Sequence, residues 1–517
     1  MDEEKKQYQV IRQDLIRSVI TEPLLTEIQE PGDGLMDVII DVNLQYQGGR
    51  EQAFQAVREI AVEALAAIGQ AGAEGMRMPD SVGSSSNPFM SATLPRAAVR
   101  KMVQVDGERA ERAAAPWRSA EAARDANAPP RSEAQPMKLG PYLAIYRIWK
   151  NFEVVPLIDR SISTVKADAA RRAFLSEGRD IVWAVIDSGV DRNHVHFEET
   201  GTLDIKLPLA HYDFTVANSQ GAATALRDGF GHGTHVAGII AGGVFKPRDP
   251  KIKAVRSRMD AQQNIVNDEE QLDTISGMAP YCKILSMKVL DDGGRGDVAR
   301  IIAALDEIQR INDYGRQQLI HGVNLSLGYE FDPKWFACGE SPICEEVNRL
   351  VRSGVVVVVA AGNTGYGTAQ AKQRPTGVGL ALTINDPGNA EYAITVGSTH
   401  REMPHRYGVS YFSSKGPTGD GRSKPDLVAP GERILSCRSS QKQPPGANNL
   451  YVEDTGTSMS APHVSGVIAA FLSIRREYIG RPEEVKQLFL NSATDLKRER
   501  SFQGYGLVDL MRTIQSV

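Results

Sequence analysis

Apolar residues along the chain predict two groups of elements. In the first group, Leu35–Asn43 reads as a strand, and Arg50–Ile68 sets Phe54, Val57, Ile60, Ala61 and Leu65 on one face of an amphipathic helix. Pro88–Leu94 reads as a second strand, Pro95–Val103 as a helix opened by proline, and Ile145–Trp149 as a third strand. A charged helix is expected over Tyr8–Thr26. Residues 106–137 are rich in Ala, Arg, Glu and Pro and almost free of large apolar side chains, which predicts a mobile insertion. In the second group, from about Ser161 onward, apolar runs at Ile181–Ile186, Ile284–Leu290, Gly322–Leu327, Val355–Ala360 and Ala393–Val396 read as strands. Helices at His232–Gly242, Val298–Gln309, Cys344–Ser353 and Ser458–Ser473 stand between and after them. Strand and helix in alternation predict a mostly parallel sheet with helices on both faces.

Three of these elements carry candidate chemistry. The run from Ile181 ends on Asp187, and strand ends are where open α/β sheets place their reactive groups. Gly231-His232-Gly233-Thr234-His235 opens a small-residue helix on a histidine. Gly456-Thr457-Ser458-Met459 enters another helix through a tight turn, with Ser458 near unpaired N–H groups and the positive end of the macrodipole. Pro462 is expected in that helix's first turn. Taken alone, Ser458 reads as a helix cap, and His232 as a capping or core histidine. Together they supply a carboxylate, an imidazole and a hydroxyl in the order Asp, His, Ser. A serine hydroxyl needs an adjacent base to act as a nucleophile at neutral pH, and the imidazole needs a carboxylate to fix its tautomer.

With these motifs the chain resembles the subtilisin-like serine peptidases, the subtilase family. Further phrases carry the resemblance: Gly277-Met278-Ala279-Pro280, Phe412-Ser413-Ser414-Lys415-Gly416-Pro417, Lys424-Pro425-Asp426 and Gly504-Tyr505-Gly506. The resemblance implies Asp187 as orienting carboxylate, His232 as general base and acid, with His235 the alternative, and Ser458 as nucleophile. It implies Asn363, after Val355–Ala360, as an oxyanion donor; on its own that asparagine is an ordinary turn residue. By the same resemblance Gly294-Arg295-Gly296 and Ser326-Leu327-Gly328 are the two edges that hold substrate backbone, and the specificity-pocket floor falls near Asn385 and Asp386. The first group of elements resembles the family's inhibitory prodomain, a small ferredoxin-like α/β unit. That gives domains at 1–155 and 156–517, with self-cleavage expected between Asn151 and Ser163. The family's usual calcium loop is replaced by a charged insertion, Phe245–Ser276, expected as a solvated, mobile surface and a place for a regulatory partner. No cofactor is required in this reading, and calcium has no support in the sequence.

Composition narrows the setting. The chain has 517 residues, 41% hydrophobic and 24% charged, with net charge −5 and so no basic footprint for nucleic acid. No run of about 18 apolar residues suggests a membrane span, and the charged N-terminus does not read as a secretory signal, so a cytoplasmic location is expected. The four cysteines do not form a disulfide framework. Cys282 and Cys437 read as core residues, whereas Cys338 and Cys344 flank a short loop that a disulfide would close in an oxidising setting. The expected activity is serine endopeptidase, made as a self-processing zymogen that acts on proteins or peptides. Its alternatives are a peptide transpeptidase or cyclase on the same scaffold, or a latent binding protein.

Overall fold

The computed structural model describes residues 19–29, 34–70, 75–81, 88–124, 139–150, 160–217, 220–221, 223–248, 251–259, 265–332, 338–370, 375–443 and 449–517. The chain divides into two compact units, Met1–Val155 and Pro156–Val517.

In the first unit the strands run in the spatial order Arg77–Ser81, Phe89–Pro95, Leu35–Val42 and Ile145–Lys150, antiparallel throughout. Leu35–Val42 is central, with Ile40 opposite Met90 on one side and Ile148 on the other. Helices Gly49–Ala67 and Arg96–Arg124 follow the first and third strands, and Val57, Ile60, Val99 and Met102 bury against Val38 and Ile40. The chain order βαββαβ with this strand order is the expected ferredoxin-like arrangement. It includes one strand that the sequence pattern does not reveal, Arg77–Ser81. This is an edge strand burying only Pro79, where a missing N–H is tolerated.

Residues 106–124 correct the expected mobile insertion, because they continue the helix Arg96–Arg124. Ala, Arg and Glu are strong helix formers, and the helix is anchored through small and charged groups instead of large apolar ones. Ala110 and Ala114 are buried, and Arg109 pairs with Glu59 at 3.0 Å and Glu63 at 2.9 Å. The buried Asp106 carboxylate accepts the N–H groups of Ala144 and Ile145 at 2.9 and 3.0 Å. The rest of that insertion, 125–137, lies outside the described residues, as do most of the Tyr8–Thr26 helix and 151–159 of the expected cleavage segment.

The second unit is built on a seven-stranded parallel sheet. Its order is Leu427–Pro430, Ile394–Thr399, Val356–Ala360, Gly322–Leu325, Val182–Asp187, Lys283–Lys288 and Tyr212–Asp213. Side chains alternate between two cores. Trp183, Val185, Val356 and Val358 face the core shared with helices His232–Ile240 and Thr457–Ile474. Ala184, Ile186, Val357 and Val359 face the core under helices Val298–Ile311 and Pro342–Arg352. Both faces are covered, which is why the strands read as unbroken apolar runs. Thr457–Ile474 is apolar and long enough to cross a membrane, but 83% of it is buried inside this unit as its central helix.

Phe245–Ser276 also differs from expectation. It forms a β-hairpin, Ile252–Met259 with Ile265–Leu272, which extends a smaller sheet through Asn449–Asp454 to Ile434–Cys437. Ile252, Ala254 and Leu272 are buried, while the charges pair across the strands: Arg256 with Glu270 and with Glu453 at 3.1 Å, and Lys253 with Glu269 at 3.3 Å. Alternation of buried and paired residues, masked in the sequence by the charge density, makes this insertion a strand pair.

Candidate active site

The site forms at the carboxyl ends of the central strands. Asp187 closes its strand fully buried, and its Oδ1 accepts the Ser188 N–H at 2.7 Å. His232 is the first residue of its helix and donates from Nδ1 to both Asp187 oxygens, at 2.8 and 2.9 Å. Gly233 permits this approach: a Cβ there would lie 2.2 Å from the Gly189 carbonyl oxygen and 3.1 Å from the Asp187 Cβ. Burial opposes the imidazolium, but the Asp187 charge and hydrogen bond, with Asp454 and Asp228 behind them, outweigh it and raise the His232 pKa to about 9.

Asp228, which sequence reasoning missed, ties the two elements together. Its Oδ1 accepts the Ser188 hydroxyl at 2.8 Å and the Gly231 N–H at 2.6 Å; its Oδ2 accepts the Thr234 N–H at 2.8 Å and the Thr234 hydroxyl at 2.6 Å. Ser188 in turn accepts the Gly233 N–H at 2.9 Å. The carboxylate therefore satisfies orphan donors at the helix start and holds the loop after Asp187 in register with it. Its signal in the sequence is an Asp four residues before the histidine, three before the Gly231 that caps the helix. Desolvation raises the Asp228 pKa against these hydrogen bonds.

Ser458 is the second residue of the helix that begins at Thr457, and its cap is Gly456, with no side-chain cap bond. The expected place of Pro462 needs correcting. It is not in the first turn but inside the helix, four residues after Ser458. Without an N–H it cannot bond the Ser458 carbonyl, and that carbonyl accepts the Ser326 hydroxyl at 2.8 Å instead. The Ser458 Oγ donates to the Ser326 carbonyl at 3.0 Å. Asn324 supports Ser326 by donating to its Oγ at 2.9 Å, and Ser465 supports Asn324 through a further bond of 2.9 Å. A buried polar chain from the central strand thus fixes the serine turn. Among the described hydrogen bonds none joins Ser458 Oγ to His232, whose Nε2 has no protein partner. Such contacts commonly tighten only when substrate is bound.

Asn363 follows Val356–Ala360 through Gly362, whose φ of 108° suits glycine. Its Oδ1 accepts both the Thr457 N–H at 2.9 Å and the Thr457 hydroxyl at 3.0 Å, which leaves the amide N–H groups for another acceptor. Asn363 lines a cavity of about 290 Å³ with Ser458, Ser326, Leu327, Gly328 and Asn385. Six of the sequence-derived residues therefore meet around one space. Asn385 sits in its wall, accepting the Thr364 hydroxyl at 3.2 Å. Asp386 does not line it. That residue is fully buried, accepts Asn389 at 2.8 Å and bridges antiparallel to Tyr329.

Gly294, Arg295 and Gly296 lie outside this cavity, beside Phe230 on the histidine side. A Cβ at Gly294 would come 2.5 Å from the Phe230 ring, itself 6.3 Å from the His232 ring. Asp291 shapes that turn by accepting the N–H groups of Gly293 and Arg295, both at 2.9 Å, and the Arg295 side chain is exposed. His235 is buried in the core with Nε2 at 3.1 Å from the Ile434 carbonyl oxygen, and burial lowers its pKa. Among the described residues no group of three His, Cys, Asp or Glu gathers as a metal site. All four cysteines are free and buried.

A seven-stranded parallel α/β sheet, with the Asp187–His232 pair beyond one strand and Ser458 bonded to Ser326 beyond another, is the architecture expected of a subtilisin-like serine peptidase. The sequence model of the subtilase family matches residues 178–507, and the chain belongs to that family. Serine protease AprX of Bacillus subtilis (strain 168) is 27% identical over 384 residues, covering 72% of this chain and 74% of that protein. The major intracellular serine protease of the same organism is 29% identical over 314 residues, 60% of this chain and 75% of the relative. An intracellular serine protease of Paenibacillus polymyxa is 27% identical over 369 residues, covering 71% and 89%.

Proposed function

We propose that this chain is a self-processing zymogen whose second unit hydrolyses peptide bonds through Asp187, His232 and Ser458. The Ser458 Oγ attacks the substrate carbonyl carbon while its proton passes to His232 Nε2. Asp187 holds the ring through Nδ1 and stabilises the imidazolium. The carbonyl oxygen becomes an oxyanion that accepts hydrogen bonds from the Asn363 amide and the Ser458 N–H. Collapse of this intermediate breaks the C–N bond, and His232 returns the proton to the departing amine. Water then repeats the sequence on the acyl-enzyme, with His232 first as base and then as acid, which frees Ser458. Ser326–Gly328 and Gly294–Gly296 hold the extended substrate backbone from its two sides, and Asn385 meets the side chain before the scissile bond.

The observation that carries this reading is the two-oxygen hold of Asp187 on His232 Nδ1, which is what an imidazole acting as base through its other nitrogen requires. The first unit is proposed as the prodomain, cleaved between Asn151 and Ser163; its ferredoxin-like fold and its own core support that role. An intracellular setting is supported by the names of two relatives. The role of Ser458 is tested by treating the protein with a fluorophosphonate and mapping the adduct by peptide mass. The reading expects one adduct, on Ser458, lost in Ser458→Ala and in His232→Ala. An unlabelled wild type, or a label elsewhere, contradicts it.

A further inference from the structure

The cavity at Ser458 has a larger neighbour. A second cavity of about 780 Å³ adjoins it, sharing Asn363, Thr364 and Asn385 but not Ser458. Its outer walls come from two segments. One is the loop after Gly328, with Glu330, Phe331 and Asp332; the other is the hairpin Tyr366–Gln370 with Pro375–Gly379, followed by Leu380 and Leu382. Tyr366 packs perpendicular to Tyr411, with ring centroids 5.5 Å apart. Among the described residues the lining holds two carboxylates, Glu330 and Asp332, and no Lys, Arg or His.

Resting on the peptidase reading above, we propose that this adjoining space selects substrates with a long cationic side chain, arginine or lysine, immediately before the scissile bond. The wall at Asn385 and Thr364 is polar and does not reward a large apolar side chain. The outer cavity offers what a basic side chain combines: apolar residues Leu380 and Leu382 for a methylene stem, and Tyr366 and the Glu330 carboxylate in the lining for a cationic head. An acidic substrate side chain meets like charge in the same space, so the cavity both attracts and excludes. Glu330 is the residue that sets the charge preference. It is exposed, and no described ion pair engages it.

The test compares peptides identical except for Arg, Lys, Met, Gln or Glu at that position, cleaved by wild type and by Glu330→Gln. The expected kcat/KM for Arg and Lys exceeds that for Met and Gln on the order of 10-fold, with Glu lowest, as a partly screened charge contact provides. In Glu330→Gln the Arg-to-Met ratio falls to about 2-fold. Rising salt erodes the wild-type ratio and leaves the variant's ratio flat. Fluorophosphonate labelling of both proteins separates the two readings. Label on Ser458 together with an Arg-to-Met ratio near one, or a ratio that Glu330→Gln leaves intact, overturns the subsite and spares the peptidase. No label and no cleavage of any peptide overturns both.

Discussion

Replacing Asn363 by alanine isolates the oxyanion contact from the rest of the chemistry. The side chain is held through Oδ1 by the N–H and hydroxyl of Thr457 next to the nucleophile, which leaves its amide hydrogens for the oxyanion proposed above. A donor preorganised in this way acts on charge that exists only in the transition state, so its loss is expected to lower kcat by ~10²–10³, about 2.7–4 kcal/mol, with KM nearly constant. Asn363→Asp keeps the shape and turns the donor into an acceptor, and is expected to lose at least as much. Thr457→Val removes one of the two bonds that aim the amide, and its loss should stay within about 10-fold. The assay is steady-state cleavage of a chromogenic peptide, with burst amplitude confirming the concentration of functional Ser458. A loss below about 3-fold in Asn363→Ala, or a loss expressed mainly in KM, refutes the assignment, because a binding contact acts on both states alike.

Other outcomes follow from the same structure. His232 must be neutral to accept the serine proton, and its folded-state pKa is raised, so kcat/KM rises with pH through a midpoint above 6.5. Asp187→Asn lowers that midpoint and reduces kcat by ~10⁴; a midpoint unmoved by this change argues that another group titrates. Lys424 donates to Asp426 at 2.5 Å in a fully desolvated pair whose second cation, Lys486, stands 3.3 Å away. Asp426→Ala is therefore expected to destabilise the second unit by about 3–5 kcal/mol in urea unfolding, and a change under about 1 kcal/mol contradicts it. Desolvation, against two backbone hydrogen bonds, raises the Asp106 pKa to about 6, above its unfolded value. Its contribution to the first unit is thus fully present below pH 3.8 and lost as pH rises through 6. Protection factors at Ala144 and Ile145, with intrinsic base catalysis divided out, should fall across that window in wild type, and Asp106→Asn should flatten the response.

The chemistry was legible where a reaction forces residue types beside glycine turns: Asp187 at a strand end, His232 after Gly231 and Ser458 after Gly456. The parallel sheet was legible because both its faces are buried, so its strands are apolar throughout. What escaped was long-range or indirect. The Ser326 hydroxyl meets the Ser458 carbonyl 132 positions away, freed by a proline deeper in the helix than the sequence suggested. The helix over 106–124 is held by alanines and a buried carboxylate, which composition reads as a missing core. The hairpin at 252–272 hides three buried residues among charges that neutralise one another only once paired. Asp228 looks like a loop aspartate until its four hydrogen bonds are drawn.

The central claim is tested most directly by the intact mass of freshly purified full-length wild type and Ser458→Ala, followed over time of incubation. The account predicts that wild type alone sheds about 150 N-terminal residues, with a new N-terminus between Asn151 and Ser163, while Ser458→Ala stays whole. If both chains are cut at the same site and rate, or if neither is cut when active wild type is added, the first unit is not a prodomain removed by this serine.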